Sequence, residues 1–473
     1  MNKDSTKVIA KNSALNLTYT ILNIIFPLIM MTYASRVLGP EGIGYADYSK
    51  NIVSYFILLA TLGLPIYGIR EIAKAHVKRK KLNKVFTELF LINIGTTAIS
   101  CGLFTAFVFS PIMNADRTVL LCSSVQLLLN FANIDWLYQG LEQYTYIVFR
   151  SIFVKIISVF MIFFCVKDRN DYIIYALITS VALAGNYIFN LIYARKYVHF
   201  DFNNLNLKKH FKPLFYFGAA LLFSSIYSKV DITMLGTMCS KDDVGIYSNA
   251  FQIVSVAACV STSISTVFLP RLSLYYNTDY ASFNELLQFG IRVTSFLAFP
   301  IMAMMYIVAP LVVEILFGSA FSASADVIRI LSILVLIKSF GDLLCYRLCI
   351  ATEHEKDRLP VYAVAAGINI CMNSLLIPFA GCNGAAISSV VSELYLNISL
   401  FIKMKRVVGY SIQVKPIVQN LFSSILMSFV AVGLMQLNIN VLLKLSVIIF
   451  VSILIYFVSS YLMSLRWPLN NAS

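Results

Sequence analysis

The sequence predicts an all-α polytopic membrane protein: fourteen transmembrane helices, arranged as two pseudo-symmetric six-helix lobes followed by two extra C-terminal helices. Three observations predict it. Of 473 residues, 59% are hydrophobic and only 13% are charged, about half the charge of a usual globular chain. The apolar stretches are continuous and about 20 residues long, the length that crosses a bilayer core. They do not alternate as barrel strands do. The turns that follow the first and seventh stretches also resemble each other. A water-soluble domain of this length has no core able to hide so much apolar surface, and the same richness excludes disorder.

The spans run, in order, over 12–36, 46–69, 85–109, 117–138, 146–166 and 172–194, then 213–236, 246–270, 290–317, 326–350, 360–378 and 383–402, and finally 417–437 and 441–465. The first run is long and lacks a small-residue cleavage site, which marks a retained span rather than a cleaved signal. Spans two and three are joined by a basic loop containing His76-Val77-Lys78-Arg79-Lys80-Lys81, suited to orientation and to anionic lipid. Span nine carries Pro300 and Pro310, which predict a kink. The longest polar connection, 195–212, divides the first twelve spans into two sets of six. The expected divisions are 1–200, 201–410 and 411–473.

The chain has 37 Lys and Arg against 23 Asp and Glu, a net charge of +14. In a soluble protein that surplus would point to nucleic acid. Here it sorts by side. With both termini placed inside, the inner segments hold 26 basic residues and the outer loops five. That asymmetry predicts cytoplasmic termini. Nine Cys are scattered without a CxxC pair, and four His are dispersed, so no metal centre or cofactor is expected.

The two sets of six carry related turns. Leu38-Gly39-Pro40-Glu41-Gly42-Ile43-Gly44-Tyr45 follows span one; Leu235-Gly236 and Asp243-Val244-Gly245-Ile246-Tyr247 follow span seven. Span two ends Leu64-Pro65 and span eight ends Leu269-Pro270. An even number of spans per repeat gives both halves one orientation, with a pseudo-twofold along the membrane normal. Glycine's general preference for tight turns is the bland alternative.

Arg36-Val37-Leu38-Gly39-Pro40-Glu41-Gly42-Ile43-Gly44, after a polar first helix, resembles the polysaccharide transporter family. So does Asp231-Ile232-Thr233-Met234-Leu235-Gly236 leading to Val244-Gly245-Ile246-Tyr247-Ser248-Asn249-Ala250. That family, which includes lipid-linked oligosaccharide flippases for O-antigen and capsule units, belongs with the multidrug/oligosaccharidyl-lipid/polysaccharide exporters. The resemblance covers essentially the whole chain and implies two six-helix lobes around a V-shaped cavity. It is nearly silent on the substrate.

Ionisable groups inside spans cost about 2.5–3.5 kcal/mol on insertion scales, so they face a cavity or a partner. Asn12, Asn16, Thr20, Asn23 and Pro27 form one stripe of span one. It reads equally as a saccharide-facing wall or as interhelical hydrogen bonding. On span two, Asp47 and Lys50 are spaced i, i+3, as an ion pair would be. Lys155 on span five has no acid at a helical neighbour position; it snorkels or meets an anionic ligand. Lys229 and Asp231 sit deep in span seven on different faces. Lys338 and Asp342 on span ten are i, i+4 and able to neutralise one another. Span twelve carries Ser389, Glu393 and Asn397 on one face; span four carries Gln126, Asn130 and Asn133, with Asp135 off that face.

Taken with the resemblance, these residues predict a transporter that flips a polyprenyl-linked oligosaccharide, an O-antigen or capsule repeat unit, from the inner to the outer leaflet by alternating access. Lys50, Lys155, Lys229 and Lys338 are the candidate pyrophosphate ligands, and Asn16, Asn23 and Asn130 the candidate saccharide ligands. Asp231, Asp135, Asp342 and Glu393 are candidates for ion coupling or charge pairing. The expected setting is the bacterial cytoplasmic membrane, with membrane lipids and other glycan-assembly proteins as partners and no nucleic acid. Two rivals are weaker. A multidrug-type exporter of organic cations calls for carboxylates dominating the cavity, whereas bases are at least as numerous here. A membrane-embedded glycan-assembly enzyme calls for a catalytic constellation, and no acid cluster, GxSxG, Walker loop or metal motif is present.

Overall fold

A computed structural model describes the backbone of residues 3–110 and 116–466, and within those ranges the side chains from Ile25 onward except 220, 223, 224 and 464–466. The α-helices are α1 (Lys3–Thr61), α2 (Leu64–Ala75), α3 (Arg79–Val108), α4 (Arg117–Ser123), α5 (Val125–Leu128), α6 (Asp135–Gly140), α7 (Tyr144–Cys165), α8 (Tyr172–Ala194) and α9 (Lys208–Met238). They continue with α10 (Lys241–Thr278), α11 (Tyr280–Leu316), α12 (Ser324–Leu331), α13 (Ile333–Gly341), α14 (Leu348–Ala351), α15 (Arg358–Val408), α16 (Val414–Met435) and α17 (Val441–Arg466). Among the described residues, nine helical stretches are long and apolar enough to cross a bilayer.

All fourteen expected spans coincide with helical stretches, but four are joined, span two is interrupted at Leu62-Gly63 between α1 and α2, and two more are broken into several pieces. Spans one and two lie within α1 and α2, parted at Gly39 (φ 71). Spans eleven and twelve lie within α15, parted at Gly381 (φ 50). Both backbones are in the left-handed region, which a β-carbon disfavours. Span four breaks into α4, α5, a 3-10 turn over Asn130–Ala132, and α6. The carbonyls of Asn130 and Phe131 each accept from Asn93 Nδ2 at 3.1 Å, so the interruption leaves neither without a donor. Span ten breaks into α12, α13, a π-helical segment over Asp342–Arg347, and α14. Spans four and ten hold the same place, fourth, in each set of six. α11 runs as one helix through Pro300 and Pro310.

The chain divides into two compact units. The first comprises residues 1–236 and 240–245. Its buried cluster draws on Tyr67 and Ile72 of α2, Leu82, Phe86 and Leu89 of α3, and Trp136, Leu137 and Tyr138 of α6. Phe153, Phe160 and Phe164 of α7 are exposed, as side chains solvated by hydrocarbon would be.

The second unit comprises residues 237–239 and 246–473. Its last two helices pack on α11 through Val308, Leu311, Ala431 and Ile448. Polar contacts fix the register: Tyr456 Oη donates to the Phe296 carbonyl at 2.7 Å, and Asn420 Nδ2 donates to Ser295 Oγ at 2.8 Å. Phe429, Phe450 and Phe457 face outward from α16 and α17.

Candidate functional site: two lysines beside a hydrogen-bonded ladder

In the first unit, the second half of α1 crosses close to α9. Gly236 makes the approach possible: a β-carbon there would come within 2.0 Å of the Tyr48 ring. Small residues allow this closeness between membrane helices. One turn further, Asn51 is buried, and its Nδ2 donates to the Lys229 carbonyl at 3.1 Å and to Thr233 Oγ1 at 2.8 Å. The Tyr55 hydroxyl lies 3.0 Å from the same Thr233 oxygen. Residues 51 and 55 on one helix and 229 and 233 on the other therefore form a two-rung polar ladder.

The ladder sets Lys50, which directly precedes Asn51, near the backbone of Lys229, whose carbonyl Asn51 reaches. Lys50 is exposed and Lys229 half-buried. Among the described residues, neither ammonium makes a hydrogen bond or ion pair. The expected Asp47–Lys50 pair is thus not formed. Lys50 instead lines a cavity of about 10 Å³ with Val53, Ser123, Gln126, Ala176, Thr179, Ser180 and Leu183, on the side of α4, α5 and α8. That volume holds about one water.

The other first-unit candidates lie in different surroundings. The Lys155 ammonium is 5.8 Å from the Phe26 ring centroid. Asp231 is buried. Asn130 is fully buried, and its Nδ2 is directed to Thr97 Oγ1 at 3.1 Å and Asn93 Oδ1 at 3.4 Å. The side chains of Asn16 and Asn23 lie outside the described residues. Asp135 pairs with Arg150, at 2.9 Å from Nη1 and 3.4 Å from Nη2, and accepts from Asn190 Nδ2 at 2.7 Å. Arg150 also donates to the side-chain oxygens of Asn186 and Asn190. Sequence spacing alone offers Arg150 no partner on its own helix. Its place inside the apolar run 146–166 was the signal that it needed a partner.

A second buried network also escaped the sequence reading. Glu88 of α3, fully buried, receives Lys209 Nζ at 2.6 Å, His210 Nε2 at 2.9 Å and the Asn206 backbone N–H at 2.8 Å. The Tyr67 hydroxyl lies 2.7 Å from His210 Nδ1. Thr87 and Asn83, on the same helix, accept from the backbone of Asp201 and His199. The 195–207 connection is thereby strapped to α3. A lone acid in an otherwise apolar span was the available clue.

In the second unit, Lys338 does not pair with Asp342. Its ammonium lies 5.2 Å from the Phe251 ring centroid. Asp342 instead meets Arg347 Nε at 3.0 Å and accepts from Ser265 Oγ. Residues 338 and 342 remain one α-helical turn apart, with the Asp342 N–H bonded to the Lys338 carbonyl; the π segment that begins at Asp342 brings residue 347 to the same side as 342, and the acid takes that guanidinium instead. Arg347 also donates to Thr266 Oγ1 at 2.9 Å. Glu393 accepts from Asn397 Nδ2 at 3.3 Å.

Comparison with known proteins extends these observations. A sequence profile described as polysaccharide biosynthesis protein matches residues 9–275. A putative O-antigen transporter of Shigella dysenteriae is 24% identical over 380 residues, covering 79% of this chain and 94% of that protein. The capsular polysaccharide biosynthesis protein CapF of Staphylococcus aureus is 22% identical over 400 residues, covering 82% and 97% respectively. In structure, the chain superimposes on the lipid II flippase MurJ in its inward closed conformation, with a TM-score of 0.70 at 16% identity, covering 94% of this chain and 99% of that one.

Proposed function

This chain belongs to the polysaccharide biosynthesis protein family, and we propose that it flips a polyprenyl-linked oligosaccharide from the inner to the outer leaflet of a bacterial cytoplasmic membrane, with both termini cytoplasmic. The observation that carries the reading is that Lys50 and Lys229 lie on membrane helices held together by the Asn51 side chain, with no carboxylate bonded to either ammonium among the described residues. Uncompensated positive charge is costly in a membrane. A lipid-linked diphosphate removes that cost by accepting charge-assisted hydrogen bonds. The same pair disfavours an exporter of organic cations, which it would repel.

The names of the relatives support an O-antigen or capsule repeat unit as cargo. The polyprenyl tail remains in lipid while the head group crosses, and the motion is alternating access of the kind the resemblance implies. The driving force follows from charge. Moving one negative charge outward across an inside-negative membrane gains about 2.3 kcal/mol per 100 mV, and a doubly anionic head group gains about twice that. Membrane lipids and the proteins that make and consume the glycan are the partners this reading requires.

The test is the accessibility of a lipid-linked precursor at each leaflet, in cells or vesicles with and without the protein. Precursor should accumulate at the inner leaflet when the protein is absent. Lys229→Ala and Lys50→Ala should each slow flipping at least tenfold, on the order of 1.4 kcal/mol of lost interaction, with expression intact. Normal flipping by both variants refutes the cationic site.

A further inference from the structure

In the second unit, α16 and the α12–α13 pair both pack on α11. Between them lies a cavity of about 600 Å³. That is far larger than the 10 Å³ beside Lys50, and it falls within the roughly 300–1,000 Å³ of small-molecule sites. Its walls are mostly apolar, with Ala303 of α11, Ile333 of α13 and Val432 of α16 among them. The two serines in the wall are already satisfied. Ser332 Oγ donates to the Arg329 carbonyl and Ser428 Oγ to that of Ser424, each at 2.7 Å. Tyr306 and Phe429, also in the wall, are 55% and 76% exposed, so the groove is open along one side. All of these residues fall in or beside the apolar spans nine, ten and thirteen, and the opening faces hydrocarbon rather than water.

One charged residue lines the groove, Arg329, near the start of span ten. Its Nη1 donates to Asp326 Oδ1 at 2.9 Å, and the other guanidinium N–H groups have no partner among the described residues. The Asp326 side chain is 64% exposed. A cation and an anion thus stand side by side at one end of an apolar slot. A lone cation there would favour an anionic lipid. A neutralised pair with both members accessible matches a head group that carries both signs. Its phosphate accepts from the free guanidinium N–H groups, and a primary ammonium donates to the carboxylate, which a trimethylated one has no N–H to do.

We propose that this groove binds one phosphatidylethanolamine molecule, with an acyl chain between α11, α13 and α16 and the head group across Arg329 and Asp326. The lipid bridges α16 to α12 and α13, which otherwise meet mainly through α11. With the termini cytoplasmic, as proposed above, the site lies in the outer leaflet; its chemistry does not depend on that orientation. It takes a resident membrane lipid, not the cargo.

The experiment uses the full-length protein in phosphatidylcholine nanodiscs. Tyr306→Trp places a fluorescent reporter in the groove, with Trp136 and Trp467 replaced by Phe. The probes are phosphatidylethanolamine, phosphatidylcholine and phosphatidylglycerol with brominated acyl chains, each at the same mole fraction. Brominated phosphatidylethanolamine should quench the reporter with a relative association constant about fivefold above the other two, equivalent to about 1 kcal/mol, the scale of an exposed ion pair. Asp326→Asn, which leaves the cation alone, should transfer the preference to phosphatidylglycerol. Arg329→Gln should weaken all three, since each carries the phosphate. Ala303→Phe, which fills the slot, should reduce quenching by every probe without lowering the melting temperature. Equal constants for the three lipids overturn the proposal and leave a face solvated by bulk lipid. Displacement of the phosphatidylethanolamine quenching by undecaprenyl phosphate overturns it in favour of a polyprenyl occupant. A reporter that no probe reaches, in nanodiscs that hold two chains, overturns it in favour of a second copy. None of these outcomes bears on flipping, which is measured separately by precursor accessibility.

Discussion

Arg150→Met isolates the energetics of a buried charge. The Arg150 side chain is 4% exposed, and its partner Asp135 is 26% exposed. Removing the guanidinium takes two donors from Asp135, leaving it the Asn190 Nδ2 donor among the described residues, and strips Asn186 Oδ1 and Asn190 Oδ1 of a donor. Breaking such a pair by deleting one partner costs about 3–5 kcal/mol. The lower end applies because a quarter of Asp135 reaches the surface. At about 2–4 °C per kcal/mol for a unit of this size, the expected loss is roughly 6–12 °C in melting temperature. Trp136 follows Asp135 directly and is buried near Phe86, so with the other tryptophan, Trp467, replaced by Phe, intrinsic fluorescence in detergent reports locally. Asp135→Asn combined with Arg150→Met removes both charges and should recover more than half of the loss, since a buried pair replaced as a whole is often nearly neutral. A single variant melting within about a degree of the native protein, or a double variant as unstable as the sum of the singles, refutes the coupling.

Gly44 and Gly245 meet backbone to backbone: a β-carbon on Gly44 would lie 1.8 Å from the Lys241 carbonyl oxygen, and one on Gly245 would lie 2.1 Å from that of Pro40. Either residue changed to Ala should therefore destabilise by about 1–3 kcal/mol or more, whereas Gly102→Ala, which meets nothing within 4 Å, should be neutral or slightly stabilising in the same thermal melts. Burial holds His210 below its ordinary value of 6.5, against the opposing pull of Glu88 and Glu71 and in concert with Lys209; the Arg70 guanidinium lies over the neighbouring Tyr67 ring. The folded chain thus binds fewer protons at this site than the unfolded one, so the site's contribution to stability is complete above about pH 6.5 and declines as pH falls below it. His210→Gln should flatten that part of a melting-temperature profile, and an unchanged profile would show that the network does not respond to this imidazole.

The Gly44–Gly245 contact bears on how much of the fold the sequence disclosed. Each glycine's β-carbon would strike the carbonyl four residues before the other, Lys241 in one direction and Pro40 in the other. Reciprocity of this kind is what a local twofold produces, and it aligns Ile43-Gly44 with Val244-Gly245, the same turns whose likeness suggested a repeat. Spans were legible because hydrocarbon acts on composition over some 20 consecutive residues, a local signal. The interruptions were not. Span four opens at residues 130–132 because Asn93, from another helix, supplies the donor their carbonyls need. Nothing near position 130 announces that.

The candidate site divides along the same line between local and distant causes. Lys50 and Lys229 are each conspicuous as single charges in apolar runs, so sequence found both. Their proximity follows from Gly236 admitting Tyr48 and from Asn51 finding Thr233, contacts spanning some 180 residues that no helical periodicity encodes. Lys338 and Asp342 err the opposite way: the i, i+4 rule joined them, but the π turn that follows brings Arg347 alongside Asp342, and the acid pairs there. Charge spacing within a span therefore identifies which residues need a partner, but not which partner they take. For a transporter this matters, because a lysine already neutralised by its own helix has nothing to offer an anionic head group. Lys229 remains a candidate because Asp231, two residues on, lies on a different face of the helix and no ion pair to the Lys229 ammonium forms among the described residues.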